Sequence, residues 1–229
     1  MASTPDPPGP LDPRHPPCPA SLADGRGRRV NYLRLSVTDR CNLACTYCAA
    51  RSGPDIPHGE ILRYEELFRL LELGADLGLS KVRLTGGEPL ARKDFPAFLA
   101  EALARFPTLD LRLTTNATLL APHVDRLAAA GLARVNISLD TLNAAKYRAV
   151  TGRSLFTRAR EAVDDCLAAG LRVKLNVVAM KGFNQDEMGA FVRLAMTHPL
   201  DVRFIEYMPV GCGSRWRPEL VWTAAEVLD

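Results

Sequence analysis

From Val30 onward two hydrophobic periods alternate along the chain. Short β-rich stretches recur at VNYLRLSV, KVRLTG, LDLRLTT, ARVNISLD, LRVKLNVVAM and DVRFIEYM. Between them apolar residues return every three or four positions. Phe95, Phe98, Leu99, Ala102, Leu103 and Phe106 share one helical face, as do Val124, Leu127 and Ala128. Val163, Cys166 and Leu167 stack on a third helix, and Met188, Phe191, Val192 and Ala195 on a fourth. Gly131 and Gly170 follow helices, where a left-handed C-terminal cap favours glycine. Six strands separated by helices predict an α/β fold with a parallel sheet and right-handed crossovers, either doubly wound or bent into a barrel.

Unusual residues gather just after the predicted strand ends. Cysteines follow the first strand, Gly86-Gly87-Glu88-Pro89 the second and Thr115-Asn116 the third, and Ser138-Leu139-Asp140 closes the fourth. No GxGxxG or phosphate-binding loop follows the first strand. Function at C-terminal strand ends is the barrel habit, although open sheets also bind there. Near the chain's end Thr223 precedes Glu226 by three residues, a capping-box start before an apolar helix. So short a helix is not stable by itself, and the sequence predicts an element cut short at Asp229.

Composition narrows the setting. The 229 residues suffice for one sizeable core, and a balance of 29 basic against 26 acidic residues gives no case for broad nucleic-acid or membrane binding. No apolar run is long enough for a bilayer and no secretory leader is evident, so a cytoplasmic, reducing setting is expected. There the six cysteines read as metal ligands or core residues rather than disulfides. Residues 1–20 hold 8 of the 17 prolines, which suits neither helix nor sheet. The expected organisation is a disordered Pro-rich tail over 1–29 and one domain over 30–229.

Cys41, Cys45 and Cys48 sit within eight residues as Cys-x₃-Cys-x₂-Cys. Structural zinc wants four protein ligands, usually as two pairs; only Cys212, without a partner at finger spacing, is a distant fourth candidate. An iron–sulfur cube also takes four cysteines as a rule. Supplied with three, it leaves one iron open to a small molecule. Cys166 lies on an apolar helical face and reads as core, Cys18 lies in the tail as a bystander, and Cys212 stays undecided.

Cys-x₃-Cys-x₂-Cys with Tyr47 before the last cysteine resembles the radical S-adenosylmethionine (radical SAM) superfamily, and TGGEP at Thr85–Pro89 is similar to its second hallmark. RLSVTDRCNLACTYC, RLTGGEPL, LTTNA, VNISLDTL, VKLNVVAMKGFN and RFIEYM together resemble the GTP 3′,8-cyclase family of molybdenum-cofactor biosynthesis. The resemblance implies a partial (β/α)6 TIM-type barrel of the radical SAM type over residues 30–229. It implies one [4Fe-4S] cluster, S-adenosylmethionine, and conversion of GTP to (8S)-3′,8-cyclo-7,8-dihydroguanosine 5′-triphosphate through a 5′-deoxyadenosyl radical. By the same resemblance Cys41, Cys45 and Cys48 ligate the cluster. Tyr47, Gly87, Ser138 and Met208 fall where the family contacts S-adenosylmethionine, and Arg34, Arg83, Thr114 and Lys174 where it holds GTP. No residue is assigned a catalytic role.

Physical arguments bear on two of these sets. A glycine at position 87 lets backbone approach a ligand closely. Arg34, Arg83 and Lys174 lie inside strands beside apolar residues, where a cation is costly unless it meets a polar cavity or a charged partner. Asp140 and Asn176 are further polar lining, and the four histidines take no role.

Two departures from the family pattern stand out. Ala49-Ala50-Arg51 replaces the usual Met-Pro after the last cysteine. The C-terminal segment that carries the family's second three-cysteine cluster and closes the barrel is expected to be absent, so full cyclase activity is not expected from these residues alone. The expected partners are GTP, an electron donor of unspecified kind and the next pathway enzyme, with room for a homodimer and none for nucleic acid or membrane. A radical SAM enzyme on another substrate such as a peptide, a zinc-binding module and an inactive remnant are the alternatives.

Overall fold

The computed structural model describes residues 21–48, 56–209 and 216–228. Residues 1–20, with Cys18, lie outside them, as do Ala49-Ala50-Arg51 and Cys212. Six strands, β1 (Tyr32–Ser36), β2 (Lys81–Thr85), β3 (Asp110–Thr115), β4 (Arg134–Ser138), β5 (Arg172–Ala179) and β6 (Leu200–Glu206), alternate with helices. The helices are α1 (Tyr64–Asp76), α2 (Phe95–Arg105), α3 (Val124–Ala129), α4 (Ala144–Thr151), α5 (Phe156–Ala168), α6 (Met188–Thr197) and α7 (Ala224–Leu228). All strand pairs are parallel and the sheet order is β1-β2-β3-β4-β5-β6. A doubly wound sheet would reverse direction once. Here every crossover advances one strand the same way, which is barrel winding, and β1 and β6 remain as the edges of an open sheet.

That winding puts the helices on one face, and the strands record it. A parallel sheet covered on both faces is apolar throughout. Here burial alternates strictly along β2, β3 and β5. Val82, Leu84, Leu111, Leu113, Val135, Ile137, Val173, Leu175 and Val177 point outward into one continuous core with Leu67 and Leu71 of α1, Phe95, Phe98 and Leu99 of α2, Leu127 of α3, Val163 and Cys166 of α5, and Phe191 of α6. Each fully buried Leu, Val or Phe contributes roughly 1.5–3 kcal/mol by leaving water. The Phe191 ring meets Phe204 of β6 edge-on at 5.9 Å. Cys166 is buried and free, as core placement requires.

The ends are held by tertiary contacts. Residues 21–29 fell within the expected tail, yet they form an antiparallel Ala23–Arg29 bridge, and the Leu22 amide donates to the Leu77 carbonyl at the end of α1. The Thr223–Glu226 capping box is present: the Thr223 amide donates to Glu226 Oε2 at 3.0 Å and the Glu226 amide to Thr223 Oγ1 at 3.3 Å. The short helix it starts is secured by a Lys181–Glu226 ion pair, a Met180–Val221 bridge and the buried Trp222. These supply what so short a helix lacks by itself.

Candidate functional site

The cysteine segment leaves β1 at the rim of the sheet and is fastened at three places. Its first arm runs beside the turn after β2: the Gly87 amide donates to the Thr38 carbonyl and the Glu88 amide to the Arg40 carbonyl, both at 2.7 Å. Its far arm rests on the C-terminal end of α4, with Ala44 and Thr46 amides donating to the Thr151 and Val150 carbonyls at 2.9 Å. Between them Asn42 Nδ2 donates to Thr118 Oγ1 at 2.8 Å, and Asn116 Nδ2 to Asn42 Oδ1 at 2.9 Å. Cys41, Cys45 and Cys48 are all free; Cys41 and Cys48 are exposed and Cys45 is half-buried. The Leu43 amide and Asn116 Nδ2 both point at Cys41 Sγ, at 3.4 and 3.8 Å. Burial raises the Cys41 pKa and pushes Cys45 up to about 12, with the Asp140 charge and the other two cysteines adding to the shift at Cys45.

Gly86 and Gly87 are required by this junction itself. A Cβ at Gly87 would lie 2.2 Å from the Arg40 carbonyl oxygen and 2.6 Å from that of Asp39; one at Gly86 would lie 2.4 Å from the Thr38 oxygen. The close approach inferred for Gly87 is therefore first an approach of the cysteine loop's own backbone. Glu88, 1% exposed, locks the next turn in place. Its carboxylate accepts from the Leu90 amide (3.1 Å), Thr115 Oγ1 (2.7 Å) and the Asn116 amide (2.7 Å). It thus joins the β2 turn to the Asn116 that contacts Cys41. Burial raises the Glu88 pKa and the three donors oppose it. Glu88→Gln sets an amide N–H against one of these donors and is expected to cost about 1–3 kcal/mol in urea unfolding of the cluster-free protein.

Tyr47 reaches across the rim. Its hydroxyl donates to Asp140 Oδ2, while Asp140 Oδ1 accepts from the Val178 amide at 2.8 Å. Burial lifts the Asp140 carboxyl to about 6 against these two donors. The Tyr47 ring meets Tyr207 edge-on at 6.3 Å, and Met208 follows at 54% exposure. Ser138 ends β4 in register with Asn176 of β5. Tyr47 and Met208 are thus brought close through Tyr207, and Ser138 lies two residues from the Asp140 that holds Tyr47. Gly87 lies against the loop's first arm.

The uncovered face of the sheet carries the cations. Register sets Arg34 beside Arg83 and Arg83 beside Arg112. It also aligns Thr114, Asn136, Lys174 and Asp201 across four strands. Lys174 pairs with Asp201 at 3.0 Å and Arg112 with Asp110. Arg83 has no carboxylate partner among the described residues: its guanidinium lies over the Tyr32 ring at 5.6 Å and its Nε is buried without a hydrogen bond. Burial lowers the Arg83 pKa, and Arg34, Arg112 and Arg203 push it the same way. Thr114 Oγ1 is likewise buried without a partner. Two of the four residues expected to hold GTP therefore carry buried polar atoms without partners among the described residues.

Residues 35–195 match the Radical SAM superfamily. The chain belongs to the radical SAM superfamily. Among curated relatives, it is 46% identical over 211 residues to a GTP 3′,8-cyclase of Pelotomaculum thermopropionicum, covering 91% of this chain and 65% of that protein. It is 48% identical over 193 residues to a GTP 3′,8-cyclase of Petrotoga mobilis, covering 83% and 59%. The chain thus spans less than two thirds of the length of these relatives. Among solved structures, Streptococcus suis SuiB bound to S-adenosylmethionine superposes with a TM-score of 0.69 at 21% identity, over 82% of this chain and 43% of that one. Methylornithine synthase gives 0.62 at 18%, over 82% and 57%. At such identities these two show the fold, and they agree with a partial radical SAM barrel.

Radical SAM proteins work with a [4Fe-4S] cluster and S-adenosylmethionine, and the donor set fits that group. Three free thiols share one loop, two N–H groups already point at one sulfur, and the loop is clamped at both arms. Among the described residues no three His, Cys, Asp or Glu side chains close on a single metal-ion position.

Three parts of the site were missed from the sequence. Arg112 and Arg203, both close enough to act on the Arg83 charge, were legible as every-second-residue partners on their strands. Helix α4, which carries the loop, was signalled by Asn143, whose side chain accepts from the Ala145 and Lys146 amides, and by Gly152 at its C-terminal end.

Proposed function

We propose that this chain is the radical SAM core of a GTP 3′,8-cyclase, forming (8S)-3′,8-cyclo-7,8-dihydroguanosine 5′-triphosphate for molybdenum-cofactor biosynthesis. One observation carries the substrate assignment: buried Arg83 Nε and Thr114 Oγ1 lack partners on a concave face crowded with cations. A polyanion supplies what that face lacks, and arginine forks match phosphate oxygens two at a time. The names of the relatives support the same reading.

Cys41, Cys45 and Cys48 would hold the cluster. When bound, it supplies an electron for reductive cleavage of S-adenosylmethionine, the source of the hydrogen-abstracting radical. Around it the chain's own residues bind and orient. Tyr47, Ser138 and Met208 line the rim for S-adenosylmethionine, and Gly87 holds the loop's arm so that its neighbours face the same space. Arg34, Arg83, Thr114 and Lys174, with Arg112 and Arg203, take the triphosphate deeper on the concave face. Among the described residues no helix is long and apolar enough to cross a membrane. We place the protein in the cytoplasm, with a separate electron donor and a downstream enzyme taking the product.

The test is anaerobic release of 5′-deoxyadenosine by the reconstituted protein with dithionite and S-adenosylmethionine, measured with GTP, with ATP and with neither. Release stimulated by GTP above ATP, and weakened by added salt as a charge-dominated site requires, is the expected result. Release that no nucleotide alters would overturn the substrate assignment and leave the cofactor assignment standing.

A further inference from the structure

Among the described residues, the last backbone hydrogen bond from the cysteine loop to the rest of the fold runs from the Thr46 amide to the Val150 carbonyl. Cys48 lies past that fastening, and its amide turns back onto the Cys45 carbonyl at 3.1 Å. What ties this turn to the fold is a side chain. Tyr47, between the last two cysteines, donates through its hydroxyl to Asp140 Oδ2.

Asp140 is buried just past the end of β4 and is held from two directions. Its Oδ1 accepts from the Val178 amide and its backbone carbonyl from Asn184 Nδ2, both at 2.8 Å. Asn184 is itself buried and committed on both sides: Nδ2 also donates to the Val178 carbonyl and Oδ1 accepts from the Met180 amide, both at 2.9 Å. The ends of β4 and β5 and the turn after β5 thus form one hydrogen-bonded mount, and Tyr47 is docked on it. This gives a task to the stretch VKLNVVAMKGFN, whose last residue is Asn184.

A carboxylate is a costly choice at position 140. Burial disfavours its charge. After burial, that charge is the largest influence raising the Cys45 pKa, so it opposes the thiolate that a metal requires. Leucine has the same branching and would avoid both costs. What leucine lacks is an acceptor for Tyr47 and for the Val178 amide.

We propose that Asp140, mounted by Asn184, is a positioning residue for the cysteine loop: through its hydrogen bond to Tyr47 it holds the Cys45–Cys48 turn in the arrangement that retains the cluster. This rests on the reading that Cys41, Cys45 and Cys48 hold a [4Fe-4S] cluster. The part played by Asp140 is to accept a hydrogen bond, and its charge is incidental.

The test is iron release from the anaerobically reconstituted protein to a chelator, timed by the loss of cluster absorbance. Asp140→Asn keeps an oxygen for the Val178 amide and turns an amide donor toward the Tyr47 hydroxyl oxygen, so its release rate is expected within about twofold of the unmodified protein. Asp140→Leu offers neither and is expected to release iron about tenfold faster. Tyr47→Phe keeps the ring against Tyr207 and is expected to match Asp140→Leu. Because Asp140 acts through Tyr47, the double variant should be no faster than either single one, whereas independent structural effects would multiply. A Tyr47→Phe variant that holds iron like the unmodified protein would overturn the proposal, as would multiplied effects in the double variant. An Asp140→Asn variant that loses iron as fast as Tyr47→Phe would overturn it too, so the case is decided even where Asp140→Leu fails to fold. Failure of the unmodified protein to take up iron would overturn the cofactor reading, and this inference with it; uptake with equal release from every variant would overturn this inference alone.

Discussion

Gly87→Ala is expected to detach the cysteine loop from the sheet. The added Cβ would sit 2.2 Å from the Arg40 carbonyl oxygen, 2.5 Å from its carbonyl carbon and 2.6 Å from the Asp39 oxygen. All three neighbours are backbone, so no side chain can swing aside. Relief requires the Thr38–Arg40 arm to withdraw, which breaks the Gly87-to-Thr38 and Glu88-to-Arg40 hydrogen bonds. Two lost backbone bonds together with overpacking come to roughly 3–5 kcal/mol. Cys41 follows Arg40 directly, so the same displacement should abolish iron uptake. Urea unfolding and iron content after reconstitution check both effects. Gly59→Ala, where nothing lies within 4 Å of the new Cβ, is the control and should behave as the unmodified protein. A Gly87→Ala variant that is stable and binds iron would show that the two loops do not pack as described.

Arg83→Met is expected to separate binding from stability. Arg83 is half-buried with its Nε unsatisfied, and Arg34, Arg112 and Arg203 repel it. Methionine retains the apolar stem over Tyr32 and relieves the repulsion, so thermal stability of the ligand-free protein should hold or improve. GTP affinity should fall about 10- to 150-fold, the value of a charge-assisted hydrogen bond at about 1.5–3 kcal/mol. Equilibrium dialysis with GTP measures it. Unchanged affinity with lowered stability would make Arg83 a structural residue instead.

The strands and most helices were legible in the sequence because one face of the sheet is core and the other a polar concavity. That asymmetry writes period two into KVRLT and RVKLNVVA, where a sheet covered on both sides would have read as unbroken apolar runs. The in-strand cations are tolerated because helices leave that face uncovered. Helix α1 was less legible, since Leu70 and Leu73 stay exposed beside the buried Leu67 and Leu71 and blur its apolar stripe. Helix α4 is eight residues long and was readable only through its caps.

Within the site, Cys41, Cys45 and Cys48 announced themselves by spacing. The reason for Gly87 did not, because its neighbour Arg40 is close only after β1 and β2 have paired. The same holds for Glu88, whose partners Thr115 and Asn116 come from the next strand. The hydrogen bond from Asn184 to the Asp140 carbonyl could not be read at all, since the pairing of β4 with β5 is what brings the two together.

The account stands on three cysteines holding a cluster with one iron free for S-adenosylmethionine. The most direct measurement is anaerobic iron–sulfur reconstitution, followed after reduction by electron paramagnetic resonance with and without S-adenosylmethionine. About four irons per chain and a signal that S-adenosylmethionine alters are the predicted result. Stoichiometric zinc, or folded protein that takes up no cluster, would contradict it.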